Sequence, residues 1–507
     1  MKLFSVSSRT NAARTASACT FSWFILAISA PAFAQVPVPA GPTPSQSTPS
    51  TASIPNVITL DQAIHEAIDR NYTVRTSGNV ARRNAIEVTR SKDNMWLPTV
   101  GATGSWNYDY SLSSASQRTA TLLQIMQGTV PTTNGDSLLV NGVVPGATTT
   151  QIVTPAGVHS LSWGASAGIN LFNGGSDIAR VHAAEASLGA AQYGFNWTRQ
   201  QIAFDVTTDY LNVLRTGELV FAADTTLAEG VAQLRLVQGQ YQAGVVAIAQ
   251  VYQQEAVVGQ DSLALIQARN TYQNAQAELL FQLNIPPNEY NNYTFTVAGI
   301  DTSVTPASRA AIDTTLDAGK INAAVDNRPD ILAEEQAIQA RVYDIDITRG
   351  ALLPSLDASA GIGGAGSNSD LTHIRVENSL SAGLKLTIPI FDKFQNRLLI
   401  DEQQVDVENE RITLEQDVQQ MRNDATQAVN NLKAADLAID ESQVALTAAE
   451  ESLRNAVERL RVGAGTQVDV VIAEAAAETA RVNRVNAKYN FVLAERQLQY
   501  TLGHWNY

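Results

Sequence analysis

The chain has 507 residues, 45% hydrophobic and 16% charged, which is more than one ordinary domain needs and enough apolar material for a large core. Its formal net charge of −15 argues against nucleic acid, whose phosphates call for clustered Lys and Arg. The single cysteine, Cys19, lies near the N-terminus in a segment expected to be removed, so the mature chain would hold no disulfide, Cys-ligated zinc or catalytic thiol.

Residues 1–34 read as a secretory signal. Lys2, Arg9 and Arg14 precede a short apolar stretch at 21–28, and Ala32-Phe33-Ala34 supplies a small-x-small cleavage pattern before Gln35. The apolar stretch is too short to span a bilayer. Cys19 comes before it, which argues against lipoprotein processing. Residues 35–57, rich in Pro, Ser and Thr, read as a flexible segment. No later apolar run approaches about 18 residues, so the mature chain is expected to lack a transmembrane helix, and only strands could place it in a membrane.

Next comes strict period-2 alternation. Over 99–110, Val100, Ala102, Trp106, Tyr108 and Tyr110 alternate with Thr, Ser, Asn and Asp; over 160–171, Leu161, Trp163, Ala165, Ala167, Ile169 and Leu171 alternate with Ser, Gly and Asn. Later, Leu356, Ala358, Ala360 and Ile362 form one such face, and Leu380 through Ile390 another. Strands of about ten residues cross a bilayer when tilted. Trp106, Tyr108, Tyr110 and Trp163 cluster at one hairpin end, as an aromatic girdle would. The smallest outer-membrane barrels have about eight strands, and lipid tolerates no open sheet edge. Four strands therefore predict an oligomer in which several chains share one barrel. The stretch between the first two strands, rich in Ser, Thr and Gly, reads as a long external loop, and residues 366–375 as a short one. Asp109, Asp357 and Lys385 on the polar face give mixed charge and no clear selectivity.

The remaining length is helical in pattern. Val418, Met421, Ala425, Ala428, Leu432, Ala435, Ile439, Ser442, Leu446, Ala449, Leu453, Ala456 and Leu460 follow 3–4 spacing without a break, a coiled-coil seam in a helix over about 394–462. Each long helix ends at a glycine, Gly244 or Gly463, and another helix follows. Thr466 with Asp469 three residues on makes a capping box, whereas the corresponding position after Gly244 is Ala247.

The halves also share one plan. Leu171-Phe172-Asn173 recurs as Ile390-Phe391-Asp392, Asp205 as Asp424, and Gly244 as Gly463, each 219 residues later. Leu97-Pro98 recurs as Leu353-Pro354, and Asn71 as Asn327, at an offset of 256. These landmarks divide the mature chain into an N-terminal repeat at 58–287, an inter-repeat segment at 288–326 and a C-terminal repeat at 327–507.

Ile58-Thr59-Leu60-Asp61-Gln62-Ala63-Ile64 before a helix, Arg328-Pro329-Asp330-Ile331 opening the second half, the Leu-Pro and Phe strand boundaries, and the glycine turns leading to Asp469-Val470-Val471 together resemble the TolC-like outer-membrane efflux proteins. The resemblance covers residues 58 to 507. It implies an α+β membrane protein: a trimeric, twelve-stranded outer-membrane β-barrel with four strands per chain, continuing into a long periplasmic α-helical coiled-coil tunnel. It implies a passive exit channel of a tripartite efflux or type I secretion system. The partners implied are a periplasmic adaptor, an inner-membrane RND, ABC or MFS transporter, and outer-membrane lipid. Residues 288–326 would form part of the equatorial region. The family closes its tunnel at the periplasmic tip with acidic rings, and Asp469 falls on one such position. Its N-terminal counterpart is Gln250. A second acidic position is Ile472, a basic gate position is Gly465, and a gate tyrosine is Leu460, so the closing network must differ here.

The competing readings are weaker. His65, His159, His182, His373 and His504 share no metal-ligand spacing, and neither a phosphate-binding glycine loop nor a nucleophile elbow is present, so neither a cofactor nor an enzyme is expected. A secreted coiled-coil structural protein or adhesin would explain the heptads and the leader but not two spaced hairpins with aromatic ends.

Overall fold

The computed structural model describes residues 57–110, 116–131, 137–153, 157–297 and 318–503. The expected leader, the Pro-, Ser- and Thr-rich segment up to residue 56, residues 298–317 of the inter-repeat segment, and His504 lie outside the described residues. In chain order the elements are β1 (Val57–Ile58), α1 (Leu60–Arg70), α2 (Tyr72–Trp96), β2 (Thr99–Tyr110), β3 (Ser116–Pro131), β4 (Ser137–Val153), β5 (Gly157–Asn173), α3 (Ser176–Gln242) and α4 (Ile248–Gln282). There follow β6 (Thr294–Phe295), α5 (Ala318–Asp326), α6 (Pro329–Gly350), β7 (Ser355–Asn368), β8 (Glu377–Thr387), α7 (Gln395–Arg461) and α8 (Gln467–Thr501). Among the described residues, no helix is long and apolar enough to cross a membrane.

β2, β5, β7 and β8 form one antiparallel sheet in that order. Because opposite residues of a ladder share a face, the register sorts the side chains. Val100 lies opposite Ala167, which lies opposite Ala360 and then Ala382; Ala102 leads likewise through Ala165 and Ile362 to Leu380. The alternating apolar residues of the four strands therefore fall on one continuous face. Ser, Thr, Gly and Asn occupy the other, where Asp357 faces Lys385. Among the described residues, nothing packs on the apolar face: Leu380 is 82% exposed and Val100 76%.

The strands depart from the sequence reading in three places. A bulge between Asn170 and Phe172 takes Leu171 out of the ladder, and Phe172 pairs with Leu356 in its place. β8 stops at Thr387, ahead of Ile388 and Ile390, because Pro389 has no N–H to give a ladder. The stretch expected as a long loop contains β3 and β4, which pair with each other over most of their length as a two-stranded sheet of their own. Its sequence alternates imperfectly, and the pairing carries a register shift between Thr121 and Leu123, so no single period marks it.

α3 and α7 are both 67 residues long, about 100 Å at 1.5 Å per residue, and α4 and α8 are both 35. All thirteen seam positions of α7 are buried or half-buried, between runs of exposed residues. The largest core lies midway along these rods, where β1 pairs in parallel with β6, a pairing the sequence did not announce. Tyr210 of α3 is fully buried there; its hydroxyl lies 2.8 Å from the Ile58 carbonyl and 2.6 Å from that of Thr296. Arg328 explains its own motif. It is buried, donates to both Asp330 carboxylate oxygens and, at 2.6 Å, to the Thr501 carbonyl, and stacks over Trp197. The start of α6 is thereby fastened to the end of α8.

Candidate functional site

The length of α3 and α7 carries two interhelical turns to the ends of the rods, about 100 Å from the sheet. Both turns reverse through a glycine in the left-handed region, Gly244 at φ +75° and Gly463 at φ +72°. In each, the residue after the glycine donates back to the last helical turn, Val245 to the Gln240 carbonyl and Ala464 to that of Arg459, both at 2.8 Å. This is the glycine-terminated helix end in which a Cβ would be strained.

The two turns then diverge. Thr466 caps α8: its hydroxyl accepts from the Asp469 N–H at 3.2 Å, and the Asp469 carboxylate accepts from the Thr466 N–H at 2.9 Å. These hydrogen bonds, with the Arg459 charge nearby, hold the Asp469 carboxyl below its usual range. Asp469 is exposed. Ala247 at the head of α4 caps nothing, and the Gln250 side-chain oxygen is buried without a hydrogen-bond partner. The structure does not join Asp469 to Gln250. Gly465 folds back onto α7, where an added Cβ would stand 3.1 Å from Arg459 Cβ, and Arg459 donates to the Ala464 carbonyl at 3.2 Å. Arg459, Gly465, Asp469 and Ile472 help line a groove of about 320 Å³.

Sequence reasoning missed Arg459, which puts a basic group beside Asp469 from within α7 rather than from the position Gly465 occupies. It also missed a stripe along α8. Gln467, Glu474, Arg481 and Lys488 recur every seven residues and face the N-terminal half. Gln467 bonds Gln254 of α4; Arg481 donates to Glu229 of α3 at 2.8 and 3.1 Å; Lys488 donates to Glu218 of α3 at 2.9 Å. Glu474 is 7% exposed and turned toward Asp261 of α4, itself 8% exposed. Their common spacing of seven was the available signal.

At the other end of the molecule, Trp106, Tyr108 and Trp163 share the apolar face of the sheet. His159 lies beside Trp106 and Tyr108, with ring centroids 5.9 and 4.6 Å away. An added Cβ on Gly364 would come 2.7 Å from the Trp163 ring nitrogen, so this glycine makes room for the indole. Tyr110 closes β2 opposite Gly157. Among the described residues, no cluster of His, Cys, Asp and Glu is suited to a metal ion.

A family model described as outer membrane efflux protein matches residues 64–284 and 321–504. The outer membrane efflux protein BepC of Brucella suis is 24% identical over 331 residues, 65% of this chain and 69% of that protein. The alkaline protease secretion protein AprF of Pseudomonas aeruginosa is 22% identical over 188 residues, 36% of this chain and 37% of its own length. Among solved structures, the Campylobacter jejuni CmeC outer membrane channel superposes with a TM-score of 0.67 at 15% identity, covering 88% of this chain and 85% of that one.

Proposed function

Because the chain belongs to the outer membrane efflux protein family and is an outer-membrane channel subunit with a periplasmic portion, we propose that three copies close one twelve-stranded barrel through the outer membrane. One observation carries this reading: the four-stranded sheet has a continuous apolar face and, among the described residues, leaves β2 and β8 as unpaired edges. Lipid suits the apolar face but not the edges, so neighbouring copies must supply their partners. The long helices extend the barrel as a tunnel into the periplasm. A periplasmic adaptor and an inner-membrane RND, ABC or MFS transporter dock at its far end, and cargo passes through without chemistry. AprF, named for alkaline protease secretion, supports a type I secretion role beside efflux. An internal duplication, supported by helix pairs whose starts lie 219 residues apart, gives the tunnel two similar helical turns per copy.

Asp469, at one of those turns, lines the constriction, and Gln250 stands at the equivalent place on the other. Three carboxylates around one axis repel one another and attract cations. Single-channel recordings test this. Asp469→Ala is expected to raise conductance and abolish block by divalent cations, and Gln250→Ala to leave both nearly unchanged. Unaltered conductance and unaltered block in Asp469→Ala would remove Asp469 from the pore. Unheated gel migration that matches one copy rather than three would refute the shared barrel.

A further inference from the structure

The stripe on α8 makes a ladder of contacts with α3 and α4, rising from the turn in steps of about 10 Å, the length of seven helical residues. Three rungs are chemically complementary: amide with amide at Gln467–Gln254, guanidinium with carboxylate at Arg481–Glu229, ammonium with carboxylate at Lys488–Glu218. The second rung is not. There two carboxyls, Asp261 and Glu474, are both more than nine-tenths buried, and Asp261 Oδ2 and Glu474 Oε2 have no hydrogen-bond partner. Both converge on Gly230 of α3, where an added Cβ would stand 2.7 Å from Asp261 Oδ2 and 3.7 Å from Glu474 Oε1. The absence of a side chain at Gly230 makes the space they share.

We propose that Asp261 and Glu474 form a proton-operated latch between the two halves of the subunit, closed when the pair is protonated and loosened when both carboxyls ionise. Two neutral carboxyls can sit side by side in a buried layer, whereas two carboxylates there repel and lack water. The surrounding charges do not compensate. Glu229 on α3 and Glu478 on α8 add negative charge, and the cation that acts on Glu474, Arg481, is already engaged by Glu229 and, at 3.5 Å, by Glu450 of α7. Burial, and then the neighbouring carboxylates, raise Asp261 to about 6 and Glu474 to about 7. A raised carboxyl stabilises the closed joint fully below the unfolded value near 4 and loses that contribution as pH rises through its folded value. The working window therefore runs from about pH 4 to 7, the upper part of which a neutral periplasm would cross.

This latch rests on the reading of the turns as the constriction only for its effect on flow, so the test reads the joint and the flow separately. Spin labels at Leu263→Cys on α4 and Ile472→Cys on α8, both exposed positions, report the separation of the two helices in the full-length assembled channel. Separation is expected to grow between pH 5 and pH 8, with its midpoint between 6 and 7. It should stay at the pH 5 value throughout in the Asp261→Asn, Glu474→Gln double variant, whose neutral side chains mimic the protonated pair. A constant separation in the parent, or an undiminished shift in the double variant, overturns the latch. Should the double variant fail to assemble, Glu474→Gln alone must abolish the shift, and a retained shift overturns the latch equally. Conductance recorded over the same range is expected to rise with separation. A separation that moves while conductance stays flat supports the latch and overturns the placement of the constriction.

Discussion

The two turns at the far end of the helices have the same backbone and different chemistry. Gly244 and Gly463 reverse the chain with nearly the same φ and the same backward hydrogen bonds. Yet the turn after Gly463 carries a capping box and an exposed acid held ionised, and the turn after Gly244 has an alanine cap and an orphaned glutamine oxygen. Glycine geometry suffices to make a turn, and fixing the start of the next helix is a separate task that only one half performs. α8 thus has the more firmly capped start, and α4 begins without a side-chain cap.

Three measurements break or sharpen that contrast. The largest effect is expected where the turns agree. Gly463→Ala and Gly244→Ala should each destabilise the local helix end by about 1–2 kcal/mol, the cost of a left-handed residue with a Cβ. Amide exchange around both turns should accelerate about tenfold, since 1.4 kcal/mol is tenfold in an equilibrium. A response at one turn only would mean that the shared geometry is not what holds them. A smaller effect separates them. Thr466→Ala should weaken the first turn of α8 by about 1 kcal/mol, and Ala247→Thr should protect the first turn of α4 by a similar amount or less. If exchange in the parent protein is already equal at the two helix starts, the contrast fails. The smallest effect is the pH response of the cap. Because the Asp469 carboxyl lies below its ordinary value, its contribution is present above the unfolded value near 4 and is lost as pH falls through the depressed one. Protection of the α8 start should therefore not fall as pH is lowered from 8 to 5 and should be lost only in stronger acid; a loss on acidification near pH 6 would show that Asp469 is not held by Thr466.

Much of the architecture was legible because its periods are strict. The alternation of Val100, Ala102 and Trp106 marked the strands, and the thirteen-residue seam from Val418 to Leu460 marked a rod. Glycine followed by a Thr-x-x-Asp pattern placed one turn and its cap. What escaped notice lacked a period or broke one. β3 and β4 mix polar and apolar positions around a register shift. The β1–β6 pair joins residues more than 200 apart through two hydrogen-bonded positions, too short to pattern a sequence. Gln254, Asp261 and Glu474 sit where a helix seam should be apolar, so a reading that scores apolar residues passes over them. Arg459 reaches Asp469 only because the chain folds back at Gly465.

The ladder along α8 also sets a mechanical scale. Its two ion-paired rungs, Arg481–Glu229 and Lys488–Glu218, fix a fulcrum, and the lever arm below it, from Arg481 to Gln467, is fourteen residues or about 21 Å. A swing of about ten degrees about that fulcrum displaces the end of the arm by about 4 Å, more than the diameter of a water molecule, while the rods above stand still.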